Sequence, residues 1–206
     1  MSTVIVTGTD TGIGKTVFSA GLTRALGATY WKPVQSGLDE ATDSETVACL
    51  SGRPGLPQAY RLQMPASPHL SAETEGLEID LARLTLPAVK GPLVIEGAGG
   101  LMVPLTRQHL FLDVVAGWKA PVILVARTSL GTINHSLLSL TALRSMGCTV
   151  AGVAFVGEEM GHSRRTIAEM GQARDLGRLP FLADLTPDAL TAAFEAIDVA
   201  AIRETL

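Results

Sequence analysis

The chain has 206 residues, 47% of them hydrophobic, and its 16 Lys and Arg against 20 Asp and Glu leave a formal net charge of -4. That length suits one domain with a substantial core, and charges of both signs are interspersed, which argues against an electrostatic nucleic-acid surface. No uncharged apolar run approaches the roughly 18 residues of a membrane span, the start lacks the basic region of a leader, and Cys49 and Cys148 read as small buried hydrophobes in a reducing compartment. A cytoplasmic protein without membrane or nucleic-acid partners is expected.

The first predicted strand is Val4 to Val6, and a helical stretch runs from Thr16 to Leu26. Between them lies Gly8-Thr9-Asp10-Thr11-Gly12-Ile13-Gly14-Lys15-Thr16. A strand, a glycine loop ending in Gly-Lys-Thr and a helix form the layout that cradles a nucleoside triphosphate. Backbone N–H groups and the helix N-terminus face the phosphates, Lys15 reaches the β/γ-phosphates and Thr16 ligates Mg²⁺. Five residues separate Gly8 from Gly14, one more than the common form of this loop has.

A weaker strand, Ala28 to Trp31, precedes Lys32-Pro33-Val34-Gln35-Ser36-Gly37. Lys32, fixed by a proline at a strand end, is a candidate second ammonium for the charge that develops in phosphoryl transfer. A helix from Asp43 to Leu50 follows, and Asp43 is a candidate metal carboxylate that competes with Asp39, Glu40 and Glu45. Residues 51 to 92, with prolines at 54, 57, 65, 68, 87 and 92, read as an irregular excursion with short helices.

Leu93 to Ile95 is the next strand, ending in Glu96-Gly97-Ala98-Gly99-Gly100, an acid followed by a glycine turn where a second metal-organising carboxylate is expected. Then come a helix from Leu110 to Trp118, a strand from Val122 to Val125 and a helix from Ile133 to Met146 whose start, Leu130 to His135, offers free N–H donors to an anion. A strand from Val150 to Val156 and helices from Arg164 to Leu176 and Pro187 to Ile202 complete the pattern. This alternation predicts a doubly wound α/β sheet, mostly parallel and flanked by helices, with chemistry at the carboxyl ends of the strands.

Taken together these motifs resemble the dethiobiotin synthetase family. The resemblance rests on the stretched phosphate loop, Lys32-Pro33-Val34 with Ser36-Gly37, Ser67-Pro68-His69, Glu96 to Gly100, Pro121 to Val125, Leu130-Gly131 with Ile133-Asn134-His135, and Gly177 with Leu179-Pro180. It implies a homodimeric, seven-stranded P-loop ligase of one domain over residues 1 to 206. Such an enzyme closes a ureido ring from 7,8-diaminononanoate, CO₂ and ATP through a carbamate and a carbamic-phosphoric anhydride. On this resemblance Lys15, Lys32 and Thr11 are the catalytic candidates. Gly12, Ile13, Gly14, Lys15, Thr16, Val17, Asp43, Glu96, Gly97, Ala98, Gly99, Leu179 and Pro180 would bind nucleotide. Thr16, Asp43 and Glu96 would organise Mg²⁺. Ser36 would bind substrate, and Gly131, Thr132 and Asn134, from the neighbouring subunit, would take its distant carboxylate.

Two departures stand out. Gly12 occupies a position where the family often has glutamate, and Gly157-Glu158-Glu159 follows the strand after which the family has a base-reading Asn. Base contact then falls to the backbone around Leu179-Pro180 and to Phe181, with ATP the favoured nucleotide and other triphosphates left open. The nearest rival is a partitioning-type P-loop switch ATPase, whose loop carries an extra lysine where this chain has Asp10.

Overall fold

The computed structural model describes residues 2–206. Its elements in chain order are β1 (Thr3–Gly8), α1 (Lys15–Leu26), β2 (Thr29–Trp31), β3 (Val34–Ser36), α2 (Asp43–Ser51), β4 (Tyr60–Leu62), α3 (Pro68–Thr74), β5 (Leu93–Gly100), α4 (Phe111–Trp118), β6 (Val122–Arg127), α5 (Thr132–Ser145), β7 (Val150–Val156), α6 (Gly161–Met170), β8 (Asp175–Leu179), α7 (Pro187–Phe194) and α8 (Val199–Arg203). A six-stranded sheet in the order β2-β5-β1-β6-β7-β8 forms the centre, and every pairing in it is parallel. A separate parallel pair, β3-β4, lies beside it. The main sheet therefore has six strands among the described residues, one fewer than the family resemblance implies. Among the described residues no helix is long and apolar enough to cross a membrane.

Alternation along β1 and β5 sends side chains to two of the three buried clusters found among the described residues. Val4, Val6 and Val94 pack with Phe18, Leu22 and Phe194 on one face, while Ile5, Leu93 and Ile95 pack with Trp31 and Phe111 on the other. Strands covered on both faces are continuous apolar runs, which is why the run around Val4 was readable as a buried strand. Helix α1 begins at Gly14 (φ 92°) and stops at Gly27 (φ 60°), both in the left-handed region that suits glycine.

Four expectations are corrected. The segment Glu96–Gly100 is not a turn after a strand but the second half of β5. Two of its glycines answer to close packing: a Cβ on Gly97 would lie 2.6 Å from the Phe111 ring, and one on Gly99, at φ 62°, would lie 2.8 Å from the Val103 side chain. The helix expected to run to Leu176 ends at Met170, where Gly171 packs against α5 and Gln172 takes φ 44°, and the chain then forms β8. The helix from Pro187 to Ile202 is two helices. The break arises where Ile197 bridges Gly177 and the Asp198 N–H donates to the Leu176 carbonyl at 2.8 Å, so the chain between α7 and α8 caps the sheet edge. Finally, Cys49 is exposed and Cys148 only half-buried, so neither is a core residue.

Candidate active site

The carboxyl ends of β1 and β2 and the middle of β5 converge with the starts of α1 and α2 on one polar cluster. Lys15 opens α1 and is buried, its ammonium donating to the Asp10 carbonyl at 2.6 Å across the loop. Lys32 follows β2 and is 4% exposed. Its Nζ lies 2.6 Å from Asp43 Oδ2 and 3.1 Å from Glu96 Oε1. The Thr16 hydroxyl sits 2.8 Å from Asp43 Oδ1 and 2.9 Å from Glu96 Oε1. Two lysines and two carboxylates thus share one site, and the charges balance.

Local sequence accounts for the placement. Thr42 caps α2 through a box with Glu45, which leaves Asp43 in the first helical turn beside the P-loop. Of the four acids that competed for a metal role, Glu45 is tied to Thr42, Asp39 and Glu40 are exposed, and Asp43 alone touches Thr16. Glu96 is 1% exposed within β5, opposite Val6 of β1.

Electrostatics follow from burial and neighbours. Burial lowers the Lys15 pKa to about 8, and the nearby Lys32 ammonium adds to the fall, while Glu96 and Asp43 oppose it. Lys32 is the more deeply buried, yet Glu96 and Asp43 together hold its pKa above the ordinary lysine value. The Asp43 pKa is depressed because contact with Lys32, a hydrogen bond from Thr16 and the Lys15 charge outweigh its burial.

Two cavities flank the loop. The larger, about 490 Å³, is lined by Gly12, Ile13, Gly14, Val17, Leu179 and Pro180 together with Arg127, Glu158 and Phe181. The smaller, about 420 Å³, is lined by Thr11, Lys32, Ser36, Asp43, Ala98 and Gly99. The adjacent residues Thr11 and Gly12 therefore line different cavities, and Thr16 and Glu96 reach the smaller one through their contacts with Asp43 and Lys32. Gly97 contributes its carbonyl, 3.4 Å from Lys32 Nζ. The Ser36 hydroxyl is buried at the smaller cavity and has no hydrogen-bond partner among the described residues.

Gly131, Thr132 and Asn134 line neither cavity. Gly131 and Asn134 are exposed at the start of α5. Thr132 is buried, its hydroxyl donating to the Arg127 carbonyl and its N–H to the Ser129 carbonyl, so these donors are already engaged. His69 bonds to Ser67 through Nδ1 at 3.0 Å and lines a third cavity away from the lysines.

Sequence reading missed Tyr30 and Gln35. The fully buried Tyr30 hydroxyl donates to Glu96 Oε2 at 3.0 Å, and the Gln35 amide oxygen accepts the Asp43 N–H at 3.3 Å. A tyrosine in a buried strand needs a partner for its hydroxyl, which is the signal that was available for Tyr30. Burial next to Glu96 pushes its pKa well above the usual value, so it stays a donor.

A metal fits this donor set in kind. Thr16, Asp43 and Glu96 offer hard oxygens, and Mg²⁺ is commonly held by one or two carboxylates beside substrate phosphates. The Glu96 carboxylate is buried with no water-facing edge and is offset only by lysine, tyrosine and threonine donors.

Comparison with known proteins locates this site in a lineage. A family model described as an AAA domain (AAA_26) matches residues 2–189. The ATP-dependent dethiobiotin synthetase BioD of Rhodopseudomonas palustris (strain BisB5) is 62% identical over 194 residues, covering 93% of this chain and 92% of the relative. The Brucella anthropi protein of the same name is 61% identical over 93% of this chain and 92% of its own length. The chain belongs to the ATP-dependent dethiobiotin synthetase family. The Nitrobacter hamburgensis member is 59% identical over 94% of this chain and 93% of its own length. Among solved structures, a ParA family ATPase from Chlorobium tepidum covers 99% of this chain and 97% of its own, with a TM-score of 0.58 and 11% identity. The MinC:MinD cell division complex of Aquifex aeolicus gives 0.57 and 13%, covering 99% and 96%. These two likenesses show the P-loop fold alone, and dethiobiotin synthetases share it with them.

Proposed function

We propose that this chain is an ATP- and Mg²⁺-dependent cyclo-ligase that carboxylates 7,8-diaminononanoate and closes it to dethiobiotin. The observation that carries the reading is the cluster of Lys32, Asp43, Glu96 and Thr16 at the smaller cavity, next to Lys15 in the loop whose Gly12 and Gly14 line the larger one. One cavity is apolar enough for a nucleoside, and the other is less apolar and bounded by Lys32 and Ser36.

In this reading a substrate amine captures CO₂ as a carbamate in the smaller cavity, where Lys32 and Ser36 bind the new anion and Thr11 adds a hydroxyl. The carbamate oxygen then attacks the γ-phosphorus, the bond to the β,γ-bridging oxygen breaks and ADP leaves, which gives the carbamic-phosphoric anhydride. Lys15 and Lys32 neutralise charge on the oxygens in flight, and the second amine finally displaces phosphate. No protein nucleophile is required, so catalysis rests on positioning and charge neutralisation. Thr16, Asp43 and Glu96 would hold Mg²⁺, which supplies further neutralisation of phosphate charge when bound.

Gly12, Ile13, Gly14 and Val17 would cradle the nucleotide with Leu179 and Pro180 on its far side, and Gly97, Ala98 and Gly99 would flank the phosphates. A homodimer completes the site: Gly131 and Asn134 of the neighbouring subunit would take the distant carboxylate, with Thr132 fixing the turn. Leu130 is fully exposed beside them and Leu138 is 62% exposed one face along, which supports an interface there. The reaction belongs with soluble metabolites of the cytoplasm, and no nucleic acid takes part.

The test is omission. Purified protein should form dethiobiotin only when diaminononanoate, bicarbonate, Mg²⁺ and ATP are all present. Product in the absence of any one of them would refute this stoichiometry.

A further inference from the structure

Arg127 ends β6 at the carboxyl edge of the sheet, in register with Val156 of β7, and lines the larger cavity beside Gly12 and Gly14. Its Nε is buried with no hydrogen-bond partner, and Arg127 enters no ion pair among the described residues. A buried guanidinium donor without an acceptor is costly, so an arginine at such a place points to an acceptor brought by a ligand.

Glu158 lines the same cavity from the segment after β7. Its neighbours are occupied elsewhere. Glu159 is held by Arg164 at 3.3 Å and by Arg178 at 2.8 Å. The Gly157 carbonyl accepts from Arg178 Nη1 at 2.8 Å. Glu158 has no hydrogen bond or ion pair among the described residues, which leaves it as the acceptor this segment offers to the cavity. Much of the remaining lining, including Val17, Pro180 and Phe181, is apolar and suited to the faces of a planar ring.

We propose that Arg127 and Glu158 read the edge of the adenine ring, Arg127 donating to a ring nitrogen and Glu158 accepting from the exocyclic amine. Adenine places an acceptor nitrogen next to an amine donor, so one cation and one carboxylate lining the same slot complement it. On the same reading the phosphates need neither residue, because Lys15, the loop amides and the start of α1 would face them. The inference rests on reading the larger cavity as the nucleotide site, and it concerns binding rather than turnover.

The test is calorimetric titration without diaminononanoate, using ATP, purine riboside triphosphate (which lacks the amine) and inorganic tripolyphosphate. Wild type should bind ATP about tenfold more tightly than purine riboside triphosphate, and the exposed-site variant Glu158→Ala should bring the two within about twofold. Arg127→Met should weaken ATP about tenfold yet bind tripolyphosphate as wild type does. An unchanged ATP preference in Glu158→Ala, or a parallel loss of ATP and tripolyphosphate in Arg127→Met, would overturn the assignment; the second would make Arg127 a phosphate ligand. Both results are independent of whether the protein makes dethiobiotin, so failure here is separable from failure of the proposed reaction.

Discussion

Lys32 and Lys15 are buried to a similar degree but are tuned in opposite directions. Lys32 has two carboxylates in contact and stays charged, so it is a fixed cation aimed at the smaller cavity. Lys32→Ala should lower kcat by about 10³-fold while leaving nucleotide affinity within about threefold, measured by turnover and titration. The variant should also melt earlier, because Glu96 keeps a buried charge without its cation. Lys15 has a backbone carbonyl as its direct contact, and its pKa falls from 10.5 to about 8. For stability, the unfolded chain holds this proton more tightly than the folded one. The penalty is therefore present in full below pH about 8 and is relieved as pH rises toward 10.5. For binding the sign reverses. Triphosphate affinity of the free protein should drop by up to tenfold per pH unit above about 8, and a flat titration profile from pH 7 to 9.5 would contradict this.

At the scale of elements, sequence patterns were readable where one local rule governed. The run around Val4, the Gly-Lys-Thr loop and the Thr42 box each carry their own signal, and the structure has β1, the loop and α2 at those places. Reading failed where a distant contact overrode local pattern. Glu96–Gly100 looks like a turn from its glycines, but the Phe111 and Val103 side chains occupy the space that side chains at Gly97 and Gly99 would need. Arg164 to Leu176 has helical periodicity, yet its last residues complete the sheet edge as β8. Gly177 is the hinge of that edge. It takes φ 104°, and a Cβ there would run into the Ala196 carbonyl in the link between α7 and α8. Gly177→Ala should destabilise the fold by about 2–4 kcal/mol, seen as a lower melting temperature. Gly12→Ala is the contrast: φ is 69° but nothing lies within 4 Å of the added Cβ, so the cost should be about 1–2 kcal/mol of backbone strain alone.

Over the whole molecule, topology brings residues far apart in sequence to one edge. Lys15, Lys32, Asp43 and Glu96 come from four segments; the Gly-Lys-Thr loop marks Lys15, and position after a strand or at a helix start marks the other three. Tyr30 and Gln35 were not legible in this way, because their roles are bonds to Glu96 and Asp43 that only the folded chain reveals. The same fold serves ParA and MinD proteins, so architecture does not separate a ligase from a nucleotide switch. Asp10 in the loop and Lys32 at the smaller cavity favour the ligase. Labelled bicarbonate separates the two most directly. With diaminononanoate, Mg²⁺ and ATP present, the label should enter dethiobiotin with one ADP formed per ring closed. ATP hydrolysis with no label in the product would contradict a carboxylating ligase.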